Sequence, residues 1–196
     1  MQTLLTIKSS IYGATGQSSQ LVDAYAADFL RRHPGARVVT RDLAAAPPPH
    51  LTADRFAAFA APAGTRDARQ QAVVDYSDAL IGELRAADTI AFGVPMYNFS
   101  VPSTLRAYFD HVGRAGVTFR YSDSGPEGLL TGKRAVAFMT RGGHYEGELD
   151  TQAPYLRQFL GFIGITDLEL VIADRLAFGE TIRAASLAAA RMPAAA

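Results

Sequence analysis

Thr3-Leu4-Leu5-Thr6-Ile7, then Lys8, then Ser9-Ser10-Ile11-Tyr12-Gly13-Ala14-Thr15-Gly16-Gln17-Ser18-Ser19, is the stretch on which the fold turns. Its first residues are apolar β-formers. The segment after Lys8 is rich in hydroxyls and glycine. A helical pattern follows, with Leu21, Tyr25, Phe29 and Leu30 spaced to share one side. Strand, polar loop and helix in that order form the opening unit of an alternating α/β chain.

The rest of the chain repeats the alternation. Residues 36–40, with Val38 and Val39, read as a second strand. Residues 44–50 carry Pro47, Pro48 and Pro49, which rules out regular helix or central strand there. Residues 66–86 place Val73, Val74, Leu80, Ile81 and Leu84 along one helix side, and residues 89–94 form a third strand ending at Pro95. A helix over 103–112 follows Pro102, which is tolerated at a helix start. Residues 117–121 alternate and run into Ser-Asp-Ser-Gly-Pro, which predicts a hairpin excursion. Strands over 134–140 and 168–173 and helices over 155–163 and 180–192 complete the pattern, and alanines end the chain. Five strands alternating with five helices predict a doubly wound parallel sheet covered on both faces. The composition never shifts enough to mark a boundary, so residues 1–196 are expected to form one domain.

Ligands of such sheets bind beyond the carboxyl ends of the strands, where the strand order reverses. Three loops follow strands one, three and four and should share that edge. The first, 9–19, runs into a helix N-terminus, where amides and the helix dipole favour an anion. Ser10, Thr15, Ser18 and Ser19 add hydroxyls. The loop lacks a Gly-Lys-Ser/Thr ending and the Gly-x-Gly-x-x-Gly spacing, so neither a nucleoside triphosphate nor a dinucleotide is indicated. A plain N-cap would use the same residues. The second loop is Pro95-Met96-Tyr97-Asn98-Phe99, apolar and aromatic, with Asn98 able to donate and accept. It suits a flat heteroaromatic ring or simple packing on the sheet. The third is Thr140-Arg141-Gly142-Gly143-His144-Tyr145. Its paired glycines allow close backbone approach to a ligand, and would equally form an ordinary turn. His144 beside a redox ring is a candidate proton donor, against a solvated bystander. In the flavodoxin-like strand order, strands one and three flank the switch point, and FMN is the ligand of that crevice.

Composition removes several alternatives. Nineteen basic and nineteen acidic residues leave no net charge, and so no basic footprint for nucleic acid. Without cysteine there is no disulfide, thiolate catalysis, Cys-ligated zinc or iron–sulfur cluster. His33, His50 and His111 show no metal-ligand spacing, and no metal is assigned. No apolar run approaches the roughly 20 residues of a membrane span. Residues 1–8 read as a strand rather than a signal peptide, so the expected location is the cytoplasm.

Together, Lys8-Ser9-Ser10, Arg41-Asp42-Leu43, Pro95-Met96-Tyr97-Asn98-Phe99, Ala115-Gly116-Val117-Thr118-Phe119-Arg120-Tyr121, Gly125-Pro126-Glu127-Gly128-Leu129, Arg141-Gly142-Gly143 and Phe159-Leu160-Gly161-Phe162-Ile163-Gly164-Ile165 form a specific set. On these the chain resembles, over nearly its whole length, the FMN-dependent NADH-azoreductase family, also described as NADH:quinone oxidoreductases. The resemblance implies a flavodoxin-like homodimer with one FMN per subunit near the dimer interface. It implies phosphate contacts at Ser10, Gly16, Gln17 and Ser18, and ring contacts at Met96, Tyr97, Asn98, Phe99, Thr140, Arg141, Gly142 and Gly143. Tyr121 and Phe162 fall where the family lines its substrate pocket. It further implies electron transfer from NADH or NADPH to quinones and azo compounds. Gly16 and Thr140 stand where relatives often carry serine, with Thr15 as the neighbouring hydroxyl that could replace the one Gly16 lacks. A flavodoxin-like electron carrier or flavin-binding regulatory module, or a general reductase of free flavin, is the competing reading. The aromatic residues and the neutral balance disfavour the carrier.

Overall fold

The computed structural model describes residues 1–190. Its opening unit is β1 (Thr3–Lys8), a short 3₁₀ turn (Gly13–Thr15) and α1 (Gln17–Arg32). Then follow β2 (Arg37–Asp42), α2 (Ala53–Ala60), α3 (Ala68–Ala86), β3 (Thr89–Pro95) and α4 (Ser103–Val112). A hairpin of β4 (Phe119–Ser122) and β5 (Gly125–Gly128) precedes β6 (Arg134–Thr140), α5 (Gln152–Phe162), β7 (Asp167–Ala173) and α6 (Glu180–Ala190). Residues 191–192, expected in the last helix, lie outside the described residues. Among the described residues no helix is long and apolar enough to cross a membrane.

The five long strands pair in the order β2-β1-β3-β6-β7, all parallel, which is the flavodoxin-like order. The central strands are buried on both faces, and their side chains alternate between two cores. Leu5, Ile7, Ile90, Phe92, Ala135 and Ala137 meet α3, α4 and α5 on one face. Leu4, Ala91, Val136 and Phe138 meet α1 and α6 on the other. Lys8, Gly93, Phe138 and Val171 align across β1, β3, β6 and β7, so these strands deliver their following loops to one edge. Gly93 is needed there. A Cβ on it would lie 3.1 Å from the Ser18 carbonyl oxygen, so its absence lets the first turn of α1 seat on the sheet.

One helix is absent from the sequence reading, and one helix start differs from it. Helix α2 was not anticipated, because a short alanine-rich run has little periodicity; its start is marked by Thr52, whose hydroxyl accepts from the Arg55 amide. Asp67 forms a capping box with Gln70 at the head of α3, which therefore starts at Ala68 rather than at residue 66.

Candidate flavin site at the carboxyl edge of the sheet

The phosphate-side loop folds tightly before α1. Gly16 is the N-cap and supplies no side chain, so no side-chain oxygen takes the first amides of the helix. The hydroxyls of Ser18 and Ser19 are buried and have no hydrogen-bond partner. A buried, unpaired hydroxyl costs stability unless something satisfies it. An anion held at this helix start fits that unmet demand. Ser10 is buried beside them, and its Oγ accepts from the Tyr12 amide at 3.3 Å. A Cβ on Gly16 would fall 2.0 Å from Ser10 Oγ, so the Ser10 hydroxyl stands in the volume a serine at 16 would claim. Thr15 does not take that part: its hydroxyl donates to the Tyr12 carbonyl and closes its own turn. Gln17 is half-buried.

The ring-side loop has a shape the sequence did not reveal. Tyr97 and Ser100 exchange both backbone hydrogen bonds, each 3.1 Å, around Asn98 and Phe99. Asn98 has φ 48° and Phe99 φ 64°, the left-handed pair of a tight two-residue turn. Asn tolerates that region; a bulky aromatic does so at a cost. Phe99 stays 63% exposed, and its ring meets Tyr145 edge-on at 5.9 Å. Met96 and Tyr97 are half-buried. The Tyr97 hydroxyl accepts from the Ile11 amide at 3.2 Å and lies 3.4 Å from Ser10 Oγ, joining this loop to the phosphate side.

The third loop lies alongside: Pro95 pairs with Thr140, and the Met96 amide donates to the Thr140 carbonyl at 2.8 Å. The Gly142 and Gly143 carbonyls accept from Ala177 and Arg175. Among the described residues their own amides have no acceptor, and are therefore free for a ligand. Arg141 departs from the expected ring contact. It is 1% exposed, its guanidinium forks onto both Asp150 oxygens at 2.8 and 2.9 Å, and its backbone amide and carbonyl are both engaged. Burial alone would raise the Asp150 carboxyl. The Ala153 amide, Arg141 and the Gln152 amide outweigh it and hold Asp150 below the usual carboxylate range. This stabilisation is present above that range and lost as acid protonates Asp150. His144 has its Nδ1 against Asp174 and its Nε2 3.1 Å from Glu146. No group of three or more such side chains among the described residues is arranged to hold a metal.

Tyr121 and Phe162 are not brought to this edge of their own chain. Phe162 ends α5, whose first residue reaches the ring-side loop, and a helix of that length spans roughly 15 Å. The hairpin docks at that far end: a Cβ on Gly128 would strike the Gly164 backbone, and Phe119 packs on Phe162 at 4.3 Å. Phe119 is therefore buried, while Tyr121 is 74% exposed.

Sequence reasoning missed Asp150, Thr151 and Gln152. The Asp150 carboxylate accepts from the Gln152 and Ala153 amides at 3.0 Å each, and Pro154 follows. An acidic residue followed by an early proline was the available sign of a helix start.

Comparison with known proteins agrees with this fold. Residues 2–196 match the family model described as flavodoxin-like fold. The chain is 50% identical over 181 residues to the FMN-dependent NADH:quinone oxidoreductase of Cellvibrio japonicus, covering 92% of this chain and 91% of the relative. It is 48% identical over 189 residues to that of Alcanivorax borkumensis, covering 96% of each. The crystal structure of azoreductase from Bacillus anthracis superposes with a TM-score of 0.87 at 29% identity, covering 97% of each chain.

Proposed function

The chain belongs to the flavodoxin-like family that contains these FMN-dependent NADH:quinone oxidoreductases, and from that premise we propose that it transfers two electrons from NADH or NADPH to quinones and azo compounds with FMN as cofactor. The observation that carries this reading is one sheet edge offering an uncapped helix start with two unsatisfied serine hydroxyls beside two free glycine amides. FMN bound at this edge would supply the hydride-transfer chemistry, and one pocket over it would serve the nicotinamide and the acceptor in turn. Ser10, Ser18 and the amide of Gln17 would hold the phosphate, while the Gly16 amide is spent on the Gly13 carbonyl at 3.2 Å. Met96, Tyr97, Asn98 and Phe99 border the ring and exclude water on one side. The Gly142 and Gly143 amides place donors where negative charge develops on reduction. His144, with each ring nitrogen beside a carboxylate, holds the third loop and receives no proton-transfer role.

The active form we propose is a homodimer. Ile11, Tyr12, Phe99, Leu149 and Phe178 are large, apolar and exposed on the loops of this one edge. Tyr121 and Phe162, remote from the site of their own chain, are available to wall that of a two-fold partner. Light scattering at assay concentration tests this, and a fully active monomer would overturn it. Initial rates at several quinone concentrations test the reaction: parallel double-reciprocal lines are expected, and intersecting lines would contradict a shared pocket.

A further inference from the structure

We infer that Gln152, with its neighbours at the head of α5, is the positioning residue of the ring-side loop: a clasp that fixes the loop's backbone for the flavin without touching it. The inference rests on the FMN reading above. Gln152 is fully buried. Its Nε2 donates to the carbonyls of Pro95 and Ser100, each at 3.1 Å, and these two carbonyls bracket Met96-Tyr97-Asn98-Phe99. The amide thus ties both ends of the loop to one point. Next to it, the Thr151 hydroxyl donates to the Phe99 carbonyl, at the residue with the costliest backbone conformation. The Gln152 Oε1 accepts from Arg141 Nε at 3.2 Å, and Arg141 is forked onto Asp150, which in turn caps α5. One chain of bonds therefore runs from the third loop through α5 into the second.

Every polar hydrogen and the oxygen of the Gln152 side chain are used, so the amide can neither flip nor rotate without losing bonds. A buried apolar residue of similar volume would pack as well but could not gather two carbonyls. A left-handed aromatic turn persists only where its surroundings over-determine it. Here the over-determination comes from α5.

The test uses Gln152→Met, which keeps length and volume and deletes all three side-chain bonds, and Thr151→Val, which deletes one. Circular dichroism verifies the fold of each. Hydrogen exchange on flavin-free protein reads the clasp without the cofactor. Amides over 96–100 should exchange about tenfold faster in Gln152→Met and about threefold faster in Thr151→Val, with β1 unchanged. On reconstitution, the FMN dissociation constant of Gln152→Met should rise about tenfold, and the flavin midpoint potential should move from that of the unaltered protein. Unchanged exchange in both variants would overturn the inference. So would faster exchange with unaltered FMN affinity and potential, since a merely structural bond gives that result. If Gln152→Met fails to fold, the same readings on Thr151→Val decide. An unaltered protein that binds no FMN would sink the functional reading instead, and the exchange measurements would still decide whether the clasp exists.

Discussion

The two ends of the candidate flavin site are built in opposite ways. On the phosphate side, β1, a tight turn and the head of α1 supply the cradle within one short segment. Its donors are backbone amides and small hydroxyls, and its shape follows from local glycines and serines. On the ring side, residues 95–100 hold a turn their own sequence disfavours, and their anchors, Thr151 and Gln152, come from some fifty positions downstream. An anion cradle can be written locally because helix starts attract anions by themselves. A ring cradle needs backbone donors aimed from fixed positions, and here tertiary contacts fix them.

The contrast can be broken at either end, and the ring side should break hardest. Arg141→Ala leaves Asp150 nearly buried and unpaired, and should cost about 3–5 kcal/mol of stability by urea denaturation of the flavin-free protein. A loss near zero would mean the Arg141-Asp150 pair supports nothing. Gly143→Val comes next. A Cβ there would lie 2.8 Å from the Tyr145 hydroxyl, so the Tyr145 ring must swing aside from the glycine pair and from Phe99, and FMN affinity should fall about tenfold by fluorescence quenching. Gly64→Val is the control, since nothing lies within 4 Å of its Cβ and its φ is ordinary; Gly179, at φ 102°, would strain any replacement. Equal effects at 143 and 64 would make the glycine pair a plain turn.

On the phosphate side, Gly16→Ser should weaken rather than restore the cradle. Its Cβ would sit 2.6 Å from Ser10 Cβ, an overlap that costs about 1–3 kcal/mol, read as a lower Tm and weaker FMN binding. Tighter binding would show that the loop relaxes freely. The smallest effect belongs to neither end. His111 is fully buried; burial lowers its pKa, Arg55 adds to this, and the Pro49 carbonyl and Asp110 oppose it. The folded state then takes up the proton less readily than the unfolded chain, so stability falls as pH drops below about 6.5. His111→Phe should flatten the Tm profile between about pH 7 and 5. An unchanged slope would place the acid sensitivity elsewhere.

The same contrast explains what the sequence made legible. The strands, the doubly wound order and the edge holding the three loops follow from periodicity and alternation, which are local signals. Candidate phosphate residues could be named because a serine- and glycine-rich segment before a helix suits an anion, though it suits a plain N-cap equally. Phe99 in a left-handed turn could not be foreseen, since its own preferences argue against it. The partners of Arg141 were hidden for a related reason. A loop arginine beside two glycines resembles a ligand contact until Asp150 and Gln152 are seen to enclose it. The hairpin was legible as an element, but not its docking, because the backbone contact of Gly128 with Gly164 joins two glycines with no side chains to pattern.

The central reading is tested most directly by FMN add-back. The purified protein is stripped of flavin, titrated with FMN, and assayed for NADH oxidation with a benzoquinone at each step. The expected result is no turnover without FMN and a rate that saturates at one FMN per chain. A flavin-free protein already active, or one that remains inactive at full FMN occupancy, would contradict it.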